Sequence, residues 1–362
     1  MPAKSSVEEF DQDAARAGPA PIPERTLSLL DSYQMRLRRK KLRLRAVRRA
    51  FDLSAVANRT AAIRRDDILL FATVRNECVR LRFFLSYYRK LGVAHFLIVD
   101  NGSDDGTREY LADQPDVSLW TTSASYAEAR FGADWMNWLL RRHGHGHWTL
   151  TVDADEFLVY PFCDTRPLQA LTDWLDVSSC RALPAMLLDM YPRGRVGAAP
   201  YTASEDPFEL AQWFDAGNYT ISVNPEYMNL WIQGGPRARV FFADDPYRAP
   251  ALNKIPLVKW DARYTWASST HSLLPRGLNR AYDEWGGEKL SGCLLHAKFL
   301  NTFIDKSREE IDRKQHFGDS YEYRAYLDRQ AGQPDLWCSW SERYEGWRQL
   351  DRLGLMSTGN WA

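Results

Sequence analysis

The sequence predicts an α/β protein built on a mostly parallel sheet. Two observations carry that expectation. Four short apolar runs, residues 67–74 (DILLFATV), 95–99 (HFLIV), 117–121 (VSLWT) and 148–152 (WTLTV), alternate with amphipathic stretches within about 90 residues, the rhythm of βαβ units. The runs that begin this rhythm and the run that closes it also end in polar or acidic residues, where parallel sheets hold their ligands. With 45% hydrophobic and 26% charged residues, the chain of 362 is ordinary globular material rather than a disordered one.

Each element has a local reason. Residues 1–25 are polar, with Pro19, Pro21 and Pro23 spaced as in an extended linker, and are expected to be disordered. Over 26–60 the chain turns helical and basic: Leu30, Leu37, Leu44 and Phe51 recur every seven residues, and 36–49 carries nine arginines and lysines without one acid. Such a helix suits an anionic membrane surface, a partner, or the protein's own body. Residues 79–91 read as a helix, with Leu81, Phe84, Leu85 and Tyr88 on one face and Gly92 just past its end. A short helix is expected at 107–112 and an amphipathic one at 131–142, where Phe131, Trp135, Trp138 and Leu139 share a face. Beyond Tyr160 the pattern loosens into strands near 185–190, 255–260 and 294–300, then helices near 303–329 and 339–353. The expected division is one domain over 66–329, with a nucleotide-binding half (66–160) and an acceptor half (161–329), followed by a helical appendage over 330–362.

Composition bounds function. Acidic and basic residues both total 47, and nine of the basic ones sit in 36–49, so the remaining body is net acidic and nucleic acid is not an expected partner. Five scattered cysteines, odd in number and without a C-x-x-C pair, point to a reducing compartment rather than a disulfide scaffold. Residues 1–24 lack the apolar stretch of a signal peptide, and no long apolar run marks a membrane span. The expected location is the cytoplasm, with attachment to the inner face of the plasma membrane one of the options that the basic helix leaves open.

The chemistry is expected at the strand ends: Arg75-Asn76-Glu77, Asp100-Asn101-Gly102-Ser103 and Asp153-Ala154-Asp155-Glu156. Asp153 and Asp155, two apart on an extended backbone, project to the same side. Paired carboxylates at a strand tip suit magnesium or manganese, which completes its shell with phosphate oxygens and water. A histidine is a further candidate ligand. His296 follows an apolar run, with Lys298 two residues on as a candidate phosphate ligand, and His271 is the alternative. His143, His145 and His147 follow a helix ending in Arg141-Arg142, where such residues serve as C-terminal punctuation. Lys254 and Arg239 read as solvated charges. For the base that would take an acceptor proton, the candidates are Asp189 before Tyr191-Pro192, Glu156, and Asp283 beside Glu284 and Trp285.

At 68–77 (ILLFATVRNE), 97–107 (LIVDNGSDDGT) and 151–157 (TVDADEF) the chain resembles a family 2-type glycosyltransferase of GT-A fold, in the bacterial branch whose metal motif reads D-x-D-E-F. The resemblance is strong over 66–160, weaker over 161–330 and absent from the first 60 residues. It implies that Asp100 binds the base or ribose and that Asn76 and Glu77 line the same pocket. It further implies that Asp153 and Asp155 hold the metal and the sugar diphosphate, and that a late histidine followed by lysines, similar to Lys306 and Lys314 here, completes the site. The family more often has D-D-G-S where this chain has Asp100-Asn101-Gly102-Ser103. The expected activity is metal-dependent transfer, with inversion, from a nucleotide-diphosphate sugar to a glycan or lipid-linked acceptor. Two alternatives stand beside it. A nucleotidyltransferase would carry a glycine-rich phosphate loop where this chain has Arg75-Asn76-Glu77-Cys78. A non-catalytic sugar-binding protein, recruited by its basic helix, would have no need of the intact aspartate pair.

Overall fold

The computed structural model describes residues 28–282, 289–313, 317–330 and 334–361. The expectations placed on 1–25, on Asp283, Glu284 and Trp285, and on Lys314 lie outside the described residues.

A basic helix α1 (Leu29–Arg49) opens the chain, capped by Ser28, whose side chain accepts from the Asp31 amide while Asp31 answers the Ser28 amide. The first half then runs β1 (Ser54–Ala57), β2 (Ile68–Val74), α2 (Cys78–Leu91), β3 (Val93–Asp100), α3 (Thr107–Ala112), β4 (Val117–Thr121), α4 (Ala133–His143) and β5 (Trp148–Thr151). The second half holds β6 (Glu156–Val159), α5 (Leu168–Val177), β7 (Ala182–Asp189), β8 (Trp213–Asp215), β9 (Tyr219–Asn224), β10 (Asn229–Gly234), β11 (Asn253–Lys259), β12 (Thr265–Ser268), β13 (Ser272–Leu274) and β14 (Gly292–His296). The chain closes with α6 (Thr302–Arg313), α7 (Phe317–Gln330), β15 (Ser341–Arg343) and α8 (Trp347–Arg352).

The central sheet has nine strands in the order β1-β4-β3-β2-β5-β11-β7-β14-β6. Six of them, β4, β3, β2, β5, β7 and β14, run the same way, and β1, β11 and β6 run against them. The architecture is therefore α/β with a mainly parallel sheet flanked by helices. Central strands such as β2 and β3 are buried on both faces, which is why they appear as unbroken apolar runs rather than alternating ones. Gly92 ends α2 in the left-handed region at φ 100°, a conformation that only glycine adopts without strain. Leu81, Phe84, Leu85 and Tyr88 of α2 are fully buried against the sheet, each such side chain contributing about 1.5–3 kcal/mol by leaving water.

Of the surfaces open to the α1 stripe, the protein's own body is not the one it meets: Leu30, Leu37, Leu44 and Phe51 are exposed. The buried positions are Leu42 and Ala46, with Leu42 packing among Tyr227, Ala267 and Leu274. Ion pairs decide the orientation, since Arg45 reaches Asp134 at 2.9 Å and Arg49 reaches Glu128 at 3.1 Å. A departure from expectation is at the C-terminus. Over 339–353 the chain forms a strand and a six-residue helix instead of one helix. β15 pairs with β8, while Trp347, Leu350 and Trp361 join the main core, so this segment is packed rather than appended. Sequence periodicity also missed α5, β6 and the β9–β10 hairpin. All five cysteines are free thiols. Among the described residues no helix is long and apolar enough to cross a membrane.

Candidate functional site

The chain passes from β2 outward through β3 and β4, then returns to place β5 on the other side of β2. That reversal opens a crevice beyond the carboxyl ends of β2 and β5. A cleft of about 190 Å³ lies there, lined by Asp153 and Asp155 from the turn after β5, Arg75 and Glu77 from the turn after β2, and His296 and Lys298 from the end of β14. Arg80 of α2, Tyr126, and Phe303, Lys306, Glu309 and Arg313 of α6 complete the wall.

Sheet register explains why residues so distant in sequence meet. β14 lies between β6 and β7, with His296 opposite Glu156 on one side and opposite Asp189 on the other. The Ala297 amide donates to the Asp155 carbonyl at 2.8 Å, which ties the end of β14 to the acidic turn. His296 then has one nitrogen for each carboxylate: Nδ1 lies 2.6 Å from Asp189 and Nε2 lies 3.4 Å from Asp155. Burial pulls the His296 pKa down, but the two carboxylates more than offset it and the net direction is upward. For Asp155 burial likewise opposes the charge, and His296, Arg80 and Lys298 outweigh it, holding the carboxyl well below its ordinary value.

Asp153 projects into the cleft with 58% of its side chain exposed, and pairs with Lys254 at 3.1 Å. Lys254 also pairs with the buried Glu156. Lys254 was expected to be a solvated charge; it is instead buried between two carboxylates, because β11 inserts against its neighbours and carries it under the acidic turn. Burial, only partly opposed by Lys254, pushes Glu156 up to about 7. Its folded pKa thus exceeds its ordinary 4.5, so between those values the folded state binds more protons. The associated stability is present in full below pH 4.5 and is lost as pH rises through about 7. Glu156→Gln should flatten that fall. Urea melts at pH 5 and pH 7.5 check it, and an unchanged slope in the variant would locate the pH dependence elsewhere.

The base candidates fare differently. Asp189 is not an open edge: it is buried between His296 and Arg237, the latter at 2.7 Å. Glu156 is equally buried and held by Lys254. Neither can approach an acceptor without displacing its partner. His271 does not line the cleft; its Nδ1 lies 2.6 Å from the Asn253 carbonyl, and burial, followed by Lys254, pushes it down to about 4, so the ring is neutral.

The nucleotide-side candidates split. Glu77 lines the cleft and pairs with Arg80 at 3.1 Å and with Lys306. Asn76 has left-handed backbone (φ 50°) and braces the wall, accepting from the Asp104 amide and donating to Glu309. Asp100 lies fully buried behind the wall, accepting from both the amide and hydroxyl of Ser103 and from Thr121. The neighbouring Asn101 is the one that faces the cleft. Asp100 therefore shapes the 101–107 loop, and Asp100→Ala should weaken nucleotide binding by about tenfold with or without manganese, through the loop it orders. Calorimetry with a nucleoside diphosphate checks this; loss only in the presence of metal would refute it.

Arg80, Tyr126, Glu309 and Arg313 escaped the sequence reading. Arg80 lies three residues after Glu77 on α2, a spacing that could have flagged it. Glu309 and Arg313 reach Arg75 and Asn101 across more than 200 residues of chain and left no local signal.

No family model matches the chain. A glycosyltransferase family 92 protein of Oryza sativa subsp. japonica is 31% identical over 96 residues, which is 24% of this chain and 15% of that protein. Among solved structures, 4-diphosphocytidyl-2C-methyl-D-erythritol synthase overlaps 38% of this chain and 68% of its own, at 17% identity and TM-score 0.23. One assigned as glucose-1-phosphate thymidylyltransferase from Bacillus anthracis overlaps 80% of this chain and 93% of its own, at 8% identity and TM-score 0.27. Overlaps that loose carry no argument about activity.

Proposed function

We propose that this protein is a glycosyltransferase that moves a sugar from a nucleotide-diphosphate donor to a glycan or lipid-linked hydroxyl acceptor, with a divalent cation at Asp153 and Asp155. The observation that carries this reading is the mixture of charge in the cleft. Asp153 and Asp155 share one space with Arg75, Arg80, Lys298, Lys306 and Arg313, and with Glu77 and Glu309 that pair with some of these cations. A metal-bound diphosphate matches that pattern better than either a free sugar or a bare cation does. The limited similarity to a family 92 glycosyltransferase supports the same class.

The donor types present suit manganese or magnesium. Two carboxylates and an imidazole form a suitable donor set, and Asp189 engages His296 Nδ1, the support a ligand histidine needs to hold its ring and tautomer. Among the described residues no three such side chains are drawn together into a finished cage, and Asp153 rests against Lys254. When bound, the cation would supply charge neutralisation of the departing diphosphate. The chain's own part is to bind and orient: the cations lining the cleft draw phosphate in, Glu77 with Arg80 and Lys306 keeps the α6 wall closed on it, and Asn101 presents a polar edge.

The test is a panel of nucleotide sugars, with and without manganese, read by thermal stabilisation and by release of nucleoside diphosphate. A donor at 100 times its Kd should stabilise the fold by about 3 kcal/mol. Release of pyrophosphate from a nucleoside triphosphate and a sugar phosphate, with no diphosphate release from any donor, would assign a nucleotidyltransferase instead.

A further inference from the structure

Docking of α1 leaves the helix with two faces of different character. Its inner face is spent on Leu42, Ala46, Arg45 and Arg49. On the outer face Leu30, Leu37 and Leu44 line up along the axis, Tyr33 sits beside them, and Phe51 continues the line just past the helix end. All five are exposed, Phe51 at 92% and Leu30 at 64%. A seven-residue repeat drifts only about 20° per step around an α-helix, so the stripe stays on one side over its whole length. Arg36, Lys40, Lys41 and Arg48 lie on or beside that stripe, are exposed, and make no ion pair among the described residues. Cationic crowding continues onto the body, where burial, then Arg141 and Arg39, pulls the Arg43 guanidinium below its ordinary value. Twenty-one residues at 1.5 Å each give a rod about 30 Å long.

We propose that this outward face of α1 lies on an anionic lipid surface, with the leucines and Phe51 in the interface and the basic residues at the level of the phosphates. The inference does not depend on what the cleft binds. An apolar ridge flanked by the cations of 36–49, with Asp31 at the helix start the one acid on α1, matches an anionic headgroup layer over hydrocarbon in both charge and polarity. A nucleic acid would use the charges but not the ridge, and a second copy of the chain would set cation against cation. The inner face anchors the rest of the molecule to the surface through Asp134 and Glu128, and the same 123–134 segment contributes Tyr126 to the cleft wall.

The experiment uses the full chain and vesicles of phosphatidylcholine with or without 30% phosphatidylserine, separated by sedimentation. The intact protein should bind the anionic vesicles at low salt and leave them as salt rises, since exposed charges are screened within about 10 Å at 0.1 M. Replacing Arg36, Lys40, Lys41 and Arg48 together by glutamine should weaken partitioning by at least about 100-fold, at roughly fivefold per charge. Leu37→Asp with Leu44→Asp should abolish it at all salt concentrations. Both variants should keep a melting temperature close to the wild type, because all of these side chains are exposed rather than part of the buried core. Failure of the intact protein to bind anionic vesicles at low salt would overturn the proposal. So would aspartate variants that still bind, or a concentration-dependent dimer that the aspartates disrupt.

Discussion

Asp155→Asn should lower sugar transfer by ~10²-fold or more and remove the response of nucleotide binding to manganese, while the protein still folds. The size follows from what the charge does. A fixed carboxylate at the mouth of a partly dry cleft is an electrostatic group of the kind whose removal costs a reaction several kcal/mol. Asp155 is also the larger upward influence on His296, so its loss lets that imidazole give up its proton rather than remain buried and unpaired. That escape limits the structural damage, and Asp189 still holds the ring. Asparagine keeps the shape and the backbone contact through which the Ala297 amide reaches Asp155. Steady-state transfer and calorimetry with and without metal check the prediction. Full activity, or an unaltered response to manganese, would remove Asp155 from any role with a cation.

How much of this was visible beforehand differs between the two halves of the chain, for a physical reason. From β2 to β5 the strands are buried on both faces, so each shows as an apolar run, and the helices between them carry one buried face. The expected 107–112 helix and 117–121 strand coincide with α3 and β4, and the expected 67–74 strand differs from β2 by one residue. Beyond Tyr160 the sheet is completed by strands whose neighbours are set by tertiary order alone. β11 runs against β5 and β7, and β14 slots between β7 and β6. Nothing local in Leu294-Leu295-His296 indicates that Asp189, 107 positions earlier, will stand beside it. Lys254 illustrates the same limit. In sequence it resembles any surface lysine, and only the sheet order shows that it is buried under two carboxylates. The heptad on α1 was legible as a helix but left its facing surface open, and the packing of Leu42 and Ala46 with the ion pairs to Asp134 and Glu128 leaves the stripe outward.

Asp189 is the residue whose role changed most, and its substitution separates the two readings of it. Replacing it by alanine removes the carboxylate that lies 2.7 Å from the buried Arg237 guanidinium and 2.6 Å from His296 Nδ1. Breaking a buried pair from one side costs about 3–5 kcal/mol, a large part of the 5–15 kcal/mol that holds a typical domain together. Asp189→Ala should therefore melt far below the wild type, and it need not fold well enough for a rate measurement. Asp189→Asn is the informative companion, since it can still hydrogen-bond both neighbours. With the charge gone, the hold on His296 weakens, and loss of such a supporting carboxylate lowers metal affinity by about 10–100-fold. If Asp189 positions His296, the asparagine variant binds manganese more weakly, and high manganese restores part of its turnover. If Asp189 were instead the base that takes the acceptor proton, manganese affinity would be unchanged, turnover would vanish, and no metal concentration would bring it back. The burial of Asp189, its contact with Arg237 and its opposition to His296 across the β7–β14 ladder all favour the first outcome.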